Sequence, residues 1–497
     1  MKILNAKQLS EVDQYTMKKQ GLADWELMER ASYEATTHLL QQMNITDGEI
    51  YIFCGTSNNG GDGLAIARML HQKKASIKVF NVIYSTNTSA AHQKNLALLN
   101  DLNIPVHPIK TNKDLPKLGS PEFIIDAIFG VGLNRKMPDF IQQFVQQINQ
   151  CNAKVIAIDV PSGMYLEKSV AEGEHIINSD VCLTFQLPKL PFLIPSTGVF
   201  VENFKLIDIG LSVEKIEQID SPYHYLTNAV IQPILKKRKK FSHKGTYGNA
   251  FLIGGQQGMH GSVIMSSIAC LRSGVGKVYT HLDPSGQNAL MQHSLETIYV
   301  ENCLASLTSE SQFNAIGIGM GLGKSNQAFQ LLNTVIQEQS CRLLLDADAI
   351  NLLSEHPNLL KILPENTVLT PHLGELKRLL GSWRDDFELL QKVKEFCTTF
   401  HLVLIVKGAH SFICDGHDFY FNSSGNPSLA KAGTGDVLAG IITALLAQNY
   451  SVLEACKLGV YVHGFSADMI RKDYSEHSII ATDVIKQLPK AFRKLEN

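Results

Sequence analysis

The sequence predicts a protein of two α/β domains, each a parallel sheet wrapped by helices, and three observations carry that expectation. At 497 residues the chain exceeds what one hydrophobic core normally supports. Short apolar runs alternate with amphipathic stretches through both halves, the pattern of strands joined by crossover helices. Between the halves the alternation lapses, then restarts beyond a cationic run, Lys236-Lys237-Arg238-Lys239-Lys240.

The elements follow in order. Residues 6–40 have the spacing of two helices, placed outside the first sheet or against a second subunit. Strands are expected over 50–54, 77–83, 123–129, 155–160, 181–185 and 204–209. The pattern loosens after Gly210, so 1–212 reads as the first domain, 213–240 as a linker and 241–497 as the second domain. Five like charges in a row are usually solvated, which suits a linker better than a partner surface. In the second domain, strands are expected over 251–253, 277–281, 315–318, 343–345, 368–370 and 402–406.

Composition narrows the function. Charged residues are 19%, hydrophobic residues 44% and the formal net charge is -2, an ordinary soluble balance that asks for no nucleic-acid partner. No run reaches membrane-spanning length and Met1 to Ser10 lacks an apolar signal core, so a cytoplasmic protein without a membrane partner is expected. Nine cysteines, an odd number with no Cys-x-x-Cys pair, read as reduced thiols.

The densest chemistry lies in Ala432 to Gly440, Ala-Gly-Thr-Gly-Asp-Val-Leu-Ala-Gly. Gly433 and Gly435 let successive amides face one oxyanion, and the apolar spacing Leu438, Ile441, Ile442, Leu445, Leu446 starts a helix whose positive end adds to the pocket. Asp436 would repel a phosphate as a ligand but suits a base that deprotonates a hydroxyl attacking it. A helix N-cap explains the same aspartate equally well. Asp346-Ala347-Asp348, Thr370-Pro371-His372-Leu373-Gly374-Glu375 and Lys407-Gly408 each follow a strand. Singly, Asp348 is a cap, His372 a buried imidazole and Lys407 a surface charge; together they put an acid, an imidazole and a lysine on one sheet edge, which points to a ligand. Gly319 to Ser325 is not a Walker A loop, because only three residues separate Gly319 from Gly323.

In the first half, Cys54-Gly55 closes a strand, and Asn58, Asn59, Gly60, Gly61, Asp62 and Gly63 lead into a helix. Strand, glycine loop and helix form a unit that binds phosphates through backbone amides. The Gly-x-Gly-x-x-Gly fingerprint is missing, so a dinucleotide dehydrogenase is not licensed. Asp126 and Asp159 both emerge from hydrophobic strands beside that loop, with Gly130-Val131-Gly132 beyond one and Pro161-Ser162-Gly163 beyond the other. Such a pair suggests one carboxylate for a cation and one for proton transfer.

These residues carry a resemblance. Asn58 to Gly63, Asp126, Gly130 to Leu133 and Asp159 to Gly163 resemble the NAD(P)H-hydrate epimerases across nearly all of 1–212. That resemblance implies a Rossmann-like three-layer αβα sheet, with Asn59, Asp126 and Ser162 holding a potassium ion. It places Asn58, Asn59, Gly60, Gly61 and Asp62, with Gly130, Val131, Gly132, Leu133, Asn134, Arg135 and Lys136, against the hydrated dinucleotide, and makes Asp159 the acid/base. From about Tyr225 onward, His243 to Gly248, Thr370 to Glu375 and Gly433 to Gly440 resemble the ribokinase-like superfamily and, within it, the ADP-dependent NAD(P)H-hydrate dehydratases. This implies a second αβα sheet, with Ser262, Gly321, His372 and Asp436 on the hydrate, and Lys407, Gly408, Ala409, His410, Ser411 and Gly435 on the nucleotide. ADP would be the phosphoryl donor, with magnesium, and Asp436 would activate the ring hydroxyl.

The implied function is metabolite repair: R and S hydrates of NADH or NADPH are interconverted and the S form is dehydrated, giving AMP and phosphate. Small molecules would be the only ligands, and the chain would form a homo-oligomer. Two positions depart from the family pattern, Met320 and Leu295, where proline is usual; the first should loosen its loop without removing a ligand. The alternative is an ATP-dependent small-alcohol kinase with a ligand-sensing first domain, against which the retained Asp159 argues.

Overall fold

The computed structural model describes residues 1–42, 48–119, 121–308, 313–338 and 341–496. They divide into two compact units, one of Lys2–Ser221 with Asp385–Phe387, the other of Met1, Pro222–Arg384 and Glu388–Asn497.

In the first unit, seven strands form one sheet: β1 (Glu49–Cys54), β2 (Ser76–Val82), β3 (Val106–Ile109), β4 (Phe123–Ala127), β5 (Lys154–Ile158), β6 (Val181–Phe185) and β7 (Phe204–Ile207). Their order is β3-β2-β1-β4-β5-β6-β7, every pair parallel. The chain winds one way from β1 to β3 and the other way from β4, so the loops after β1 and β4 part at a switch point, where open α/β sheets hold ligands. Strands covered on both faces must be apolar throughout, and Ile50, Ile52, Phe53, Ile124, Ile125, Ile156 and Ile158 are all fully buried. β3 was absent from the sequence reading. It contains Pro108, which lacks a ladder N–H, and an edge strand is where a sheet tolerates that.

The second unit carries ten strands: β8 (Tyr223–Leu226), β9 (Asn249–Ile253), β10 (Lys277–His281), β11 (Thr297–Tyr299), β12 (Ala315–Ile318), β13 (Arg342–Leu345), β14 (Val368–Leu369), β15 (Val403–Val406), β16 (Phe412–Cys414) and β17 (Phe419–Asn422). The order is β11-β10-β9-β12-β13-β14-β15-β16-β17-β8. β11 through β15 in that order are parallel, β16 runs against both neighbours, and β8 closes the edge parallel to β17. The stretch 213–240, expected as a linker, is thus divided: the helix Val213–Gln218 lies in the first unit and β8 in the second sheet. The helix Thr434–Ala447 is buried along nearly its whole length, which its apolar composition requires.

Candidate active sites

At the switch point of the first sheet lies a cavity of about 1080 Å³. Asn58, Asn59 and Asp62 line it from the start of the helix Asn58–Gln72, Gly130, Val131, Gly132, Leu133, Asn134, Arg135 and Lys136 from the loop after β4, and Asp159 from the end of β5. Gly60 and Gly61, expected on the ligand, do not line it. A Cβ on Gly60 would come within 1.8 Å of the Gly55 carbonyl oxygen, and one on Gly61 within 2.7 Å of the Met28 side chain. These glycines let the helix seat against the β1 turn and a neighbouring helix.

Asp159 adopts a left-handed backbone, φ 62°, which few non-glycine residues do and aspartate does more readily than most. That turn aims its carboxylate back over β6, where Oδ1 accepts from Phe185 N and Thr184 Oγ1, each at 3.2 Å. Lys189 Nζ stands 3.0 Å from the same oxygen, its side chain 1% exposed, and also donates to Thr184 Oγ1 and the Leu187 carbonyl. Sequence reasoning missed Lys189. The available signal was a lone lysine within Leu187-Pro188-Lys189-Leu190-Pro191, since a lysine is fully buried only when paired. Two further carboxyls face this pair. Burial and then the Asp159 charge push Asp13 up to about 7 and Asp62 well above the ordinary carboxylate range, although Ser32 donates to Asp62.

Below the cavity floor, Asn59, Asp126 and Ser162 come together. Ser162 Oγ donates to Asp126 Oδ1 at 2.6 Å and Ser162 N to Oδ2 at 2.7 Å, while Phe129 N donates to Ser162 Oγ and Asn59 Nδ2 to the Phe129 carbonyl. Asp126 is wholly buried, and burial pushes it up to about 6 against those hydrogen bonds. The Asn59 Oδ1 is buried and finds no hydrogen-bond partner among the described residues. A buried oxygen without a donor beside a carboxylate and a hydroxyl is a donor set that fits a hard cation.

In the second unit, Gly433 N-caps the helix Thr434–Ala447 in a left-handed conformation, φ 89°, that a side chain would strain. Asp436 therefore falls on the first helical turn. Burial and then the Asp346 charge push it up to about 7, while a hydrogen bond from Ser262 and the Lys407 charge work the other way. Ser262 also meets the Gly321 loop, where a Cβ on Gly321 would lie 3.2 Å from its own. Lys407 Nζ sits 2.9 Å from Asp346 Oδ1, 3.9 Å from Glu375 Oε2 and close to Gly435. Burial opposes its charge, yet Asp346, Glu375 and Asp436 hold the ammonium above the ordinary lysine range. Thr370 Oγ1 donates to Asp346 Oδ1 at 2.6 Å.

His372 reaches the same rim by bridging to Lys407. It is a helix N-cap: Nδ1 accepts from Gly374 N and Glu375 N, at 2.9 and 3.2 Å, which leaves Nε2 as the ring nitrogen turned away from the helix end. Its ring is 55% exposed and faces outward. Asp348, considered a cap, opens the helix Asp348–Glu355 but turns its Oδ2 to Gly323 N at 2.8 Å, fastening the Gly321 loop instead. Gly408, Ala409, His410 and Ser411 form the turn from β15 to β16; the His410 ring bonds inward to the Asn422 carbonyl, leaving Gly408 and Ala409 exposed. His243 to Gly248 does not join this rim. It precedes β9 and bonds through the Tyr247 carbonyl to Gly276 N, at the opposite, amino end of the sheet.

Each sheet thus offers, on the rim where ligands bind, an aspartate held by its neighbours, Asp159 in the first and Asp436 in the second, the arrangement of a two-site α/β enzyme. Residues 25–190 match the family described as YjeF-related protein N-terminus, and 250–490 match NAD(P)H-hydrate dehydratase. A bifunctional NAD(P)H-hydrate repair enzyme of Coxiella burnetii is 32% identical over 97% of this chain and 97% of its own length. One from Escherichia coli is 30% identical over 94% of this chain and 89% of its own. Among solved structures, a ribokinase-like superfamily protein of Enterococcus faecalis is 28% identical, covers 56% of this chain and 99% of that one, and superposes with a TM-score of 0.52. The chain belongs to the bifunctional NAD(P)H-hydrate repair enzymes.

Proposed function

We propose that the first unit interconverts the R and S hydrates of NADH and NADPH, and that the second returns the S form to the reduced dinucleotide at the expense of ADP. The observation that carries this reading is the pairing of each rim aspartate with its own partner, Asp159 with Lys189 and Asp436 with Ser262. Lys189 stabilises ionised Asp159, which takes the proton of the ring hydroxyl. The carbon bearing that hydroxyl also bears the ring nitrogen, so the ring opens to a carbonyl and recloses on either face. Arg135 and Lys136 supply positive charge to the cavity wall for the dinucleotide phosphates.

In the second unit, a carboxyl pushed up to about 7 is part ionised near neutrality and basic enough to deprotonate the ring hydroxyl. The oxygen attacks the terminal phosphorus of ADP and AMP departs, while Lys407 and the Gly433 to Gly435 amides offset the charge on the phosphoryl group. Phosphate then leaves with the ring oxygen, pushed by the ring nitrogen, and loss of a proton from the adjacent carbon restores the double bond.

Asn59, Asp126 and Ser162 would hold potassium, whose charge favours the ionised form of Asp126. Magnesium enters on the nucleotide's phosphates. Nine free thiols support a reducing, cytoplasmic setting, and Tyr33, 60% exposed on the helix Asp24–Gln42, is available to a second copy. The test is to incubate both hydrate epimers with the chain, potassium, magnesium and ADP while following reduced-nicotinamide absorbance. Full recovery is expected. Consumption of one epimer alone would remove the first activity, and a stable phosphorylated product would replace the second with a kinase.

A further inference from the structure

We propose that Asp13 is the second proton-transfer group of the epimerisation, the acid that answers Asp159 as base; this rests on the epimerase reading of the first unit. Ring opening moves two protons, one off the hydroxyl and one onto the ring nitrogen, and for both to move as the carbon–nitrogen bond breaks one group must take the first while another supplies the second. The cavity gathers four aspartates, Asp13, Asp24, Asp62 and Asp159, with Lys189 among them. Three of these are otherwise engaged or out of reach. Asp159 is held by Lys189, Thr184 and Phe185. Asp62 is 8% exposed and bonded by Ser32, and Asp24 is exposed at the start of its helix. Asp13, from the helix Ala6–Gln20, is half-buried on the cavity wall and meets no hydrogen-bond donor among the described residues.

Its surroundings keep it protonated. Burial acts first, the charges of Asp159 and Asp24 add to it, and Lys189 opposes them. One lysine balances one ionised carboxylate, so the carboxyl with no donor of its own keeps its proton. On opening, the hydroxyl proton passes to Asp159, the ring carbon–nitrogen bond breaks with its pair going to nitrogen, and nitrogen takes the Asp13 proton. On closing, nitrogen attacks the other face of the carbonyl, Asp13 recovers its proton and Asp159 returns the other to oxygen. Nothing is consumed.

Interconversion of purified R hydrate, followed by NMR in the intact chain without ADP, tests this. Wild type should lose rate above about pH 7, and Asp13→Asn should lower kcat by about 10²- to 10³-fold, leave hydrate binding within about twofold, and abolish that high-pH limb. Asp13→Glu should recover part of the rate with that limb shifted. A wild-type rate and limb in Asp13→Asn would overturn the proposal, as would a fall in kcat with the limb unchanged, which marks a structural role. Should Asp13→Asn lose its fold, an unshifted limb in Asp13→Glu overturns it alone. A wild-type chain that does not interconvert epimers would instead remove the epimerase reading.

Discussion

Replacing Asp436 by Asn should stabilise the second unit while ending dehydration. Its carboxyl rises from 3.8 to about 7 on folding, because burial and the Asp346 charge resist ionisation. At about 1.36 kcal/mol per unit, ionising it in the native state costs roughly 4 kcal/mol, and residual solvent contact brings this to on the order of 2–4 kcal/mol. The sign follows from proton binding. Between pH 3.8 and about 7 the unfolded chain has lost this proton and the folded chain keeps it, so stability falls as pH rises through that window. Asparagine has no charge to bury and can still accept from Ser262. Differential melts of the two proteins should show the variant more stable by on the order of 5–10 °C at pH 8, the gap falling to roughly two-fifths of that at pH 5 and closing below pH 4. Dehydration of the S hydrate should fall by about 10²- to 10⁴-fold. Equal melts, or a gap of the same size at pH 5 and pH 8, would refute the reasoning.

Lys189→Met should leave half-buried Asp159 without its cation, costing on the order of 1–3 kcal/mol in the first unit and lowering epimerisation by more than about 100-fold, with turnover of pure S hydrate unchanged. Gly60→Ala should destabilise the first unit by more than about 3 kcal/mol, since its Cβ would strike the Gly55 carbonyl, whereas Gly132→Ala meets open space and should melt like wild type. Asn59→Leu should erase any difference in epimerase rate between potassium and tetramethylammonium buffers; a potassium effect that survives the substitution would move the cation elsewhere.

Much of this was legible from the chain. Parallel strands buried on both faces leave continuous apolar runs, so most strands of both sheets could be placed. What escaped was set by position in the sheet. β3 tolerates Pro108 because it is an edge, and β16 and β17 are a short hairpin added beyond the last parallel strand. In the sites, Asp159 followed from the strand before it and Asp436 from the glycine turn that opens its helix, but the side chains that meet them across the fold did not. Lys189 pairs with Asp159 from 30 positions away through a turn after β6, and Asp346 meets Lys407 only because β13 and β15 flank β14. The glycines of Asn58 to Gly63 illustrate the limit most plainly. A glycine needed to approach a phosphate and one needed to approach a carbonyl look identical in sequence, and only the Gly55 oxygen beneath Gly60 tells them apart.

The edge strand β8 decides how the dehydratase half can be isolated. A fragment beginning at 241 would strip the partner from Phe419 to Asn422 and leave their backbone donors and acceptors open along a hydrophobic ribbon, an invitation to pair with another molecule. One beginning at Pro222 retains that cover. The shorter fragment should aggregate and the longer one remain dispersed, although the added residues touch neither Asp436 nor Lys407.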